Sequence, residues 1–197
     1  MKARWIIAGP GLVAGLCLVA CSAGDEQVDG RNASKVIALA KGAAQAAFES
    51  LSGELGKAIA EGGTTRAIPV CSSKAGSLTA RIAEEQGVEM KRLSDRPRNP
   101  GQRATGEDLA ALESMRADPK PQVAWSDDGS AVVRLPIVIN NALCLKCHGG
   151  ANDVDAETRE ALATLYPEDE ATGYSMDDLR GIWRIEVPPT LQSAEVE

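Results

Sequence analysis

The chain has 197 residues, and 44% of them are hydrophobic, which is enough for one domain with a substantial core. It carries 21 basic and 28 acidic residues, and this acidic balance excludes binding to nucleic acid or anionic lipid headgroups through charge. With five cysteines and one histidine, the chain can build only a few kinds of metal or redox site.

The first 20 residues have the layout of a bacterial secretory signal. A basic segment is followed by an apolar run, Trp5 to Val19, which is too short and too rich in glycine for a membrane span. The run ends at Leu18-Val19-Ala20-Cys21, which resembles the lipobox of bacterial lipoproteins and implies lipidation of Cys21. We therefore expect a periplasm-facing lipoprotein of the cell envelope, and Ser22 favours the outer over the inner membrane. The alternative is plain secretion.

A tether and a helix are predicted after the lipidation site. Residues 21–33 are small and polar, which is typical of a flexible tether. From Ser34 onward, apolar residues recur every three or four positions as far as Ile59, and Gly62-Gly63 stops the pattern. We interpret this segment as a packing helix.

A second helix is predicted from the region of Pro69 to the region of Gly87. Proline fits the first turn of a helix, so we place Pro69 there. Cys71 then opens an apolar stripe that continues through Ala75 and Leu78. A free cysteine on such a stripe is commonly a small buried thiol, and the alternative is a metal ligand.

The middle of the chain predicts an antiparallel sheet. Alternating residues 88–93 indicate a strand, residues 94–103 an arginine-rich loop, and residues 106–117 a short helix. Residues 122–125 and 131–139 flank Asp127-Asp128-Gly129, which is typical of a hairpin. The second hairpin strand leads directly to the most informative motif of the chain.

That motif is Cys144-Leu145-Lys146-Cys147-His148, the pattern of a covalent c-type haem attachment site. Two thiols three positions apart can form thioethers with the two vinyl groups of one porphyrin, and the adjacent imidazole can bind its iron. A zinc site would need a fourth ligand from elsewhere, and a thioredoxin-like dithiol would need a βαβ context. We therefore predict one covalently bound haem c, held by Cys144, Cys147 and His148.

Counting residues narrows the choice of the second axial ligand of the iron. His148 is the only histidine, so a pair of histidines cannot bind the iron within one protomer. Cys71 has no disulfide partner left once Cys144 and Cys147 bind haem, and it is our favoured ligand. The alternatives are a methionine (Met90, Met115 or Met176), a lysine, water or no ligand. In the arginine-rich loop, Arg98 is our candidate to pair with a haem propionate.

The last elements complete an α+β fold. Residues 155–165 predict a helix, residues 166–174 an acidic loop, and residues 181–187 a final strand that ends at Pro188-Pro189. Strands joined by hairpins and flanked by helices make an antiparallel sheet. We place the haem domain at 34–190, after a signal peptide at 1–20 and the tether at 21–33, and treat 191–197 as a C-terminal tail.

Motifs along the chain together resemble the single-haem, PAS-like c-type haem family. They span about residues 35–188 and include Ala67-Ile68-Pro69-Val70-Cys71, Arg98-Asn99-Pro100, Leu135-Pro136-Ile137, Cys144–Gly149, Leu165-Tyr166-Pro167, Asp169–Tyr174 and Leu179-Arg180-Gly181. The resemblance implies a PAS-like sheet and a cysteine thiolate opposite the histidine. Cys71 matches the family position of that cysteine. The Arg96-Pro97-Arg98 stretch departs from the family pattern.

Two functions remain open at this point. A thiolate–histidine haem whose thiolate leaves on reduction or on gas binding suits a redox or diatomic-gas sensor, which would pass its signal to a partner protein. A haem with fixed ligands suits a membrane-tethered electron-transfer cytochrome. An enzyme is less favoured, because no second histidine is present for acid–base work. We expect a redox or signalling partner, no nucleic acid, and a homodimer remains compatible with the sequence.

Overall fold

The computed structural model describes residues 31–193. The predicted signal peptide, Cys21 and nearly all of the tether lie outside these residues, as does the end of the tail. The elements in chain order are α1 (Ala33–Gln86), β1 (Glu89–Leu93), a 3-10 turn (Pro100–Gln102), α2 (Gly106–Met115), β2 (Gln122–Trp125), β3 (Ala131–Val138), α3 (Ala142–His148), α4 (Ala156–Leu165), β4 (Leu179–Val187) and α5 (Pro189–Ser193).

The four strands form one antiparallel sheet in the order β1-β4-β3-β2. The predicted hairpin is β2 and β3, and Gly129 in its turn has φ +85, a value that glycine adopts without strain. Because β4 pairs with both β1 and β3, the last strand of the chain lies inside the sheet. The α+β fold with an antiparallel sheet and flanking helices is confirmed.

Helix α1 consists of two arms that meet at a break. Gly62 and Gly63 have non-helical backbone angles, and Gly63 lies at φ +70, so the expected stop at this pair is present. The helix resumes immediately after Gly63, which leaves Pro69 inside the second arm and not in its first turn, where the sequence had placed it. The prediction that Pro69 lies in the first turn was wrong because it assumed a loop between Gly63 and the second helix. The two glycines alone break the helix, so no such loop is present.

Both arms of α1 contribute to the main core, and the second arm also contacts α4. The first arm lies on the sheet through small residues, with Ala40 and Ala43 fully buried against β3 and β4. The second arm packs on α4, where Ile68 is buried beside Leu162. Within residues 31–193, no helix is both long enough and apolar enough to cross a bilayer.

The end of the described chain is helical. In α5, Leu191 packs against the main core, and the Gln192 side-chain amide donates to the carbonyls of Gly129 and Val187, each at 3.0 Å. These bonds fasten α5 to the hairpin turn and to the end of β4. Part of the segment that the sequence suggested as a tail is therefore packed on the domain.

Candidate functional site

Helix α3 places the two motif cysteines and the histidine at one end of the sheet. Strand β3 ends at Val138, and the Asn141 side chain accepts a hydrogen bond from the Leu143 N–H at 2.8 Å, which caps the start of the helix. Cys144 and Cys147 are three residues apart on the helix and therefore lie on the same side of it. His148 is the last residue of α3, and all three side chains are partly exposed.

The His148 ring is oriented by the loop that follows α4. Its Nδ1 lies 2.7 Å from the carbonyl oxygen of Ala171, and because a carbonyl can only accept, Nδ1 carries the proton. Burial, then repulsion from Arg98 and Arg180, lowers the pKa of His148 from 6.5 to about 3. The imidazole is therefore neutral, and its Nε2 lone pair is available to a metal.

A close turn locks His148 in this position. The Gly149 N–H donates to the Leu145 carbonyl, and the carbonyls of Gly149 and His148 accept from the N–H groups of Gly173 and Tyr174. A Cβ atom on Gly149 would stand 2.5 Å from Asp153 Cβ and 2.6 Å from the Leu145 oxygen, so only glycine fits. These bonds tie the end of α3 to the loop at residues 166–174.

A cleft next to His148 is apolar over most of its wall. It is lined by Cys144 and His148 from α3, by Phe48 and Leu51 from the first arm of α1, by Ile137, Val138, Gly181 and Trp183 from the sheet, and by Ile139 just after β3. Phe48 is 57% exposed, which is unusual for a phenylalanine in a packed domain. Two cationic side chains, Arg92 and Arg180, also line the cleft, together with Leu93, Ser94, Pro97, Gln102 and Asn140.

Arg98 is engaged by other parts of the protein. Its Nε donates to Asp169 Oδ2 at 3.0 Å, and its Nη2 donates to the Cys147 carbonyl at 2.5 Å and to the Ala171 carbonyl at 3.5 Å. Arg98 therefore joins the end of α3 to the loop whose carbonyl orients His148. It is not among the residues that line the cleft, so its pairing with a propionate stays a prediction.

Cys71 lies close to this group without lining the cleft. Its thiol is half-buried, and burial raises its pKa, while the nearby guanidiniums of Arg92 and Arg98 act in the opposite direction. Burial likewise raises the pKa of Cys147, and Cys71 adds to that shift. The second arm of α1 thus places Cys71 near α3, although about 70 residues separate Cys71 from that helix in the sequence.

The alternative ligands lie elsewhere. Met115, the last residue of α2, is fully buried, Met90 packs against the main core, and Met176 is 42% exposed in a loop. None of the three lines the cleft beside His148. In residues 31–193, no three His, Cys, Asp or Glu side chains converge closely enough to hold a metal ion.

The residues present fit a covalently attached porphyrin. The two thiols and the imidazole lie on one short helix beside an apolar cleft, and the imidazole nitrogen that faces away from Ala171 is free to bind iron. The buried Nε atoms of Arg92 and Arg180 have no hydrogen-bond partner in the described chain, as expected where an anionic ligand belongs. Sequence reasoning missed both arginines, although Arg180 stands in a motif of the resemblance.

Comparisons with known proteins relate the chain to a heme-protein. The sequence model of the Tll0287-like family matches residues 26–188. One solved structure, described as the crystal structure of the cyanobacterial heme-protein Tll0287, is similar at 26% sequence identity and a TM-score of 0.58, over 79% of this chain and 94% of that chain. No curated protein matches. The chain belongs to the Tll0287-like family.

Proposed function

We propose that this chain binds one haem, attached through thioethers at Cys144 and Cys147, with His148 and Cys71 as axial ligands, and acts as a redox or diatomic-gas sensor. The observation that carries the proposal is the neutral, oriented imidazole of His148 beside Cys144 at an apolar cleft. The description of the similar solved structure as a heme-protein supports the cofactor. Bound haem would supply a one-electron redox centre that also binds small gases.

The two ligands come from elements with different attachments, which favours a sensor. His148 is fixed by Ala171 and by the turn at Gly149. Cys71 belongs to the second arm of α1, beyond the break at Gly62 and Gly63, where Ile68 packs beside Leu162 of α4 and Ile82 packs on the main core. The Cys71 side chain can therefore bind or leave while the covalent attachment and His148 stay in place. Such a movement is a two-state element of the kind that signalling requires.

Cellular placement belongs to the same proposal. The lipobox-like sequence before Cys21 supports a lipid anchor and a periplasm-facing protein in the cell envelope, with the outer membrane favoured by Ser22. The haem attachment motif is consistent with this compartment, since bacteria attach c-type haem outside the inner membrane. A sensor placed there would act through a redox or signalling partner protein.

The test compares wild-type holoprotein with Cys71→Ala and with Ser73→Ala, an exposed neighbour on the same arm. Intact mass should show one haem in all three proteins, and paramagnetic resonance of the ferric form should show a low-spin thiolate signal lost only in Cys71→Ala. In a reductive titration, the optical spectrum of wild type should report a change of ligand.

Three results would contradict the proposal in different ways. An unchanged low-spin signal in Cys71→Ala would remove Cys71 as a ligand. Retention of the same ligands in both oxidation states would make the protein a tethered electron-transfer cytochrome, which is the alternative function. A wild-type mass without haem would overturn the cofactor itself.

A further inference from the structure

Two partly buried guanidiniums in the cleft lack a carboxylate partner among the described residues. Arg92 stands on β1 and Arg180 on β4, which are neighbouring strands, and both line the cleft with His148. In residues 31–193, neither pairs with a carboxylate within 4.0 Å, and the Nε of each is buried without a hydrogen-bond partner. The carboxylate whose charge acts on Arg180, Asp169, is already bonded to Arg98.

Most other arginines of the described domain have a carboxylate partner, and Arg96 and Arg159, which have none, donate to two backbone carbonyls each. Arg98, Arg103, Arg116, Arg134 and Arg184 each pair with an aspartate or glutamate. A buried charge without a partner is costly, and proteins seldom leave one in place unless a ligand completes it. Two such charges on the wall of one cleft therefore indicate a ligand with negative charge.

Both guanidiniums are held in position by aromatic rings. Arg92 lies over the Trp183 ring at 5.6 Å, and Arg180 lies over the Tyr174 ring at 5.3 Å and donates to the Arg96 carbonyl at 3.3 Å. An aromatic face engages the flat side of a guanidinium and leaves N–H groups at its edge for an acceptor. A planar fork of this kind matches a carboxylate.

We infer that Arg92 and Arg180 together bind the two propionate carboxylates of the haem, and that Arg98 is a positioning residue for the end of α3. This inference rests on the proposed function, because haem is the ligand that brings two carboxylates into the cleft. It replaces Arg98 as the propionate partner that the sequence favoured. The guanidinium of Arg98 is bonded to Asp169, Cys147 and Ala171, outside the cleft lining.

The test uses full-length holoprotein with Arg92→Gln and Arg180→Gln, singly and together, and with both positions changed to lysine. The matched control is Arg184→Gln, which removes a partly buried guanidinium from β4 that already has a carboxylate partner. The measurements are the midpoint potential as a function of pH and the propionate bending bands in the resonance Raman spectrum. Intact mass first establishes that wild type carries haem.

In the double glutamine variant, we expect the propionate bands to shift and the midpoint potential to fall, because lost positive charge favours the ferric state. Its potential should also rise as pH falls, over a range where wild type stays constant, since propionates without arginines take up protons more readily. The lysine variant should restore the potential but not the bands, because an ammonium is no planar fork. Arg184→Gln should match wild type.

The inference is overturned if the double glutamine variant carries haem and keeps the wild-type bands and pH profile. If the double glutamine variant does not bind haem, the double lysine variant is used for the comparison. Propionate bands that are unchanged in the lysine variant would equally exclude contact between the propionates and the two arginines. A wild-type protein without haem would be seen by mass before any variant is compared, and it would overturn the proposed function and this inference with it.

Discussion

At the scale of the residue, His148 is held in the protonation state that its proposed role as an iron ligand requires. An exposed imidazole is partly protonated near neutral pH, and a proton must leave before a metal can bind. Here burial and the Arg98 and Arg180 guanidiniums lower the pKa to about 3, and the Ala171 carbonyl fixes the proton on Nδ1. The chain itself therefore keeps Nε2 unprotonated over the whole physiological range.

This shift predicts a pH dependence of folding stability in the haem-free protein. Above pH 6.5, His148 is neutral in both states; between 6.5 and about 3, only the unfolded chain takes up its proton, so stability falls as pH falls. The loss is at most about 1.4 kcal/mol per pH unit. Urea unfolding of a haem-free Cys144→Ser, Cys147→Ser protein measures it.

The control for that measurement is His148→Gln in the same haem-free background. Carboxylates also titrate at acidic pH, but they contribute to both proteins, so the difference between the two profiles isolates His148. The profiles should be parallel above pH 6.5 and separate below it. Parallel profiles throughout would mean that His148 has an ordinary pKa in the folded protein.

At the scale of elements, the junction between α3 and the following loop decides whether the motif is placed correctly. The backbone turns at Gly149 so tightly that its own carbonyl and that of His148 bond to the 173–174 segment. The loop that includes these two residues also contains Ala171, whose carbonyl orients the imidazole. A distortion at Gly149 would therefore lower the stability of the domain and change the orientation of the His148 ring.

Gly149→Ala should destabilise the holoprotein by about 2 kcal/mol or more, because the new methyl group would overlap the Leu145 carbonyl and Asp153. Gly76→Ala is the matched control, since Gly76 is exposed in the second arm of α1 with no atom within 4 Å of the added Cβ. That change should stabilise by up to about 1 kcal/mol. Denaturant midpoints compare them, and equal effects would show that space at Gly149 is not limiting.

Elements with local signals were predictable from the sequence, and contacts between distant elements were not. The hairpin follows from Asp127-Asp128-Gly129, and the break in α1 follows from Gly62-Gly63, because glycine and turn residues act within a few positions. Periodicity places Arg92 on a strand but does not reveal that β1 pairs with β4, which is what brings it beside Arg180. The hydrogen-bond partners of Arg98, which lie far from it in the sequence, could not be predicted for the same reason.

At the scale of the whole molecule, the net charge bears on the proposed anchor. The proposed cleavage after residue 20 would remove two basic residues and no acidic one, which would take the net charge from −7 to −9. Such a surface is repelled by anionic headgroups, so attachment to a membrane has to come from the hydrophobic effect of acyl chains. The proposed lipid on Cys21 would supply them.

Detergent phase partitioning of the expressed protein tests this anchor. Wild type should enter the detergent phase, because a lipidated cysteine carries enough acyl chain to hold an otherwise acidic domain there. A variant with residues 1–21 replaced by an ordinary cleavable secretion signal should stay in the aqueous phase. Its haem spectrum should be unchanged, since the candidate site is built entirely from residues of 31–193. Wild type in the aqueous phase, with an intact mass that shows no lipid, would instead mean plain secretion.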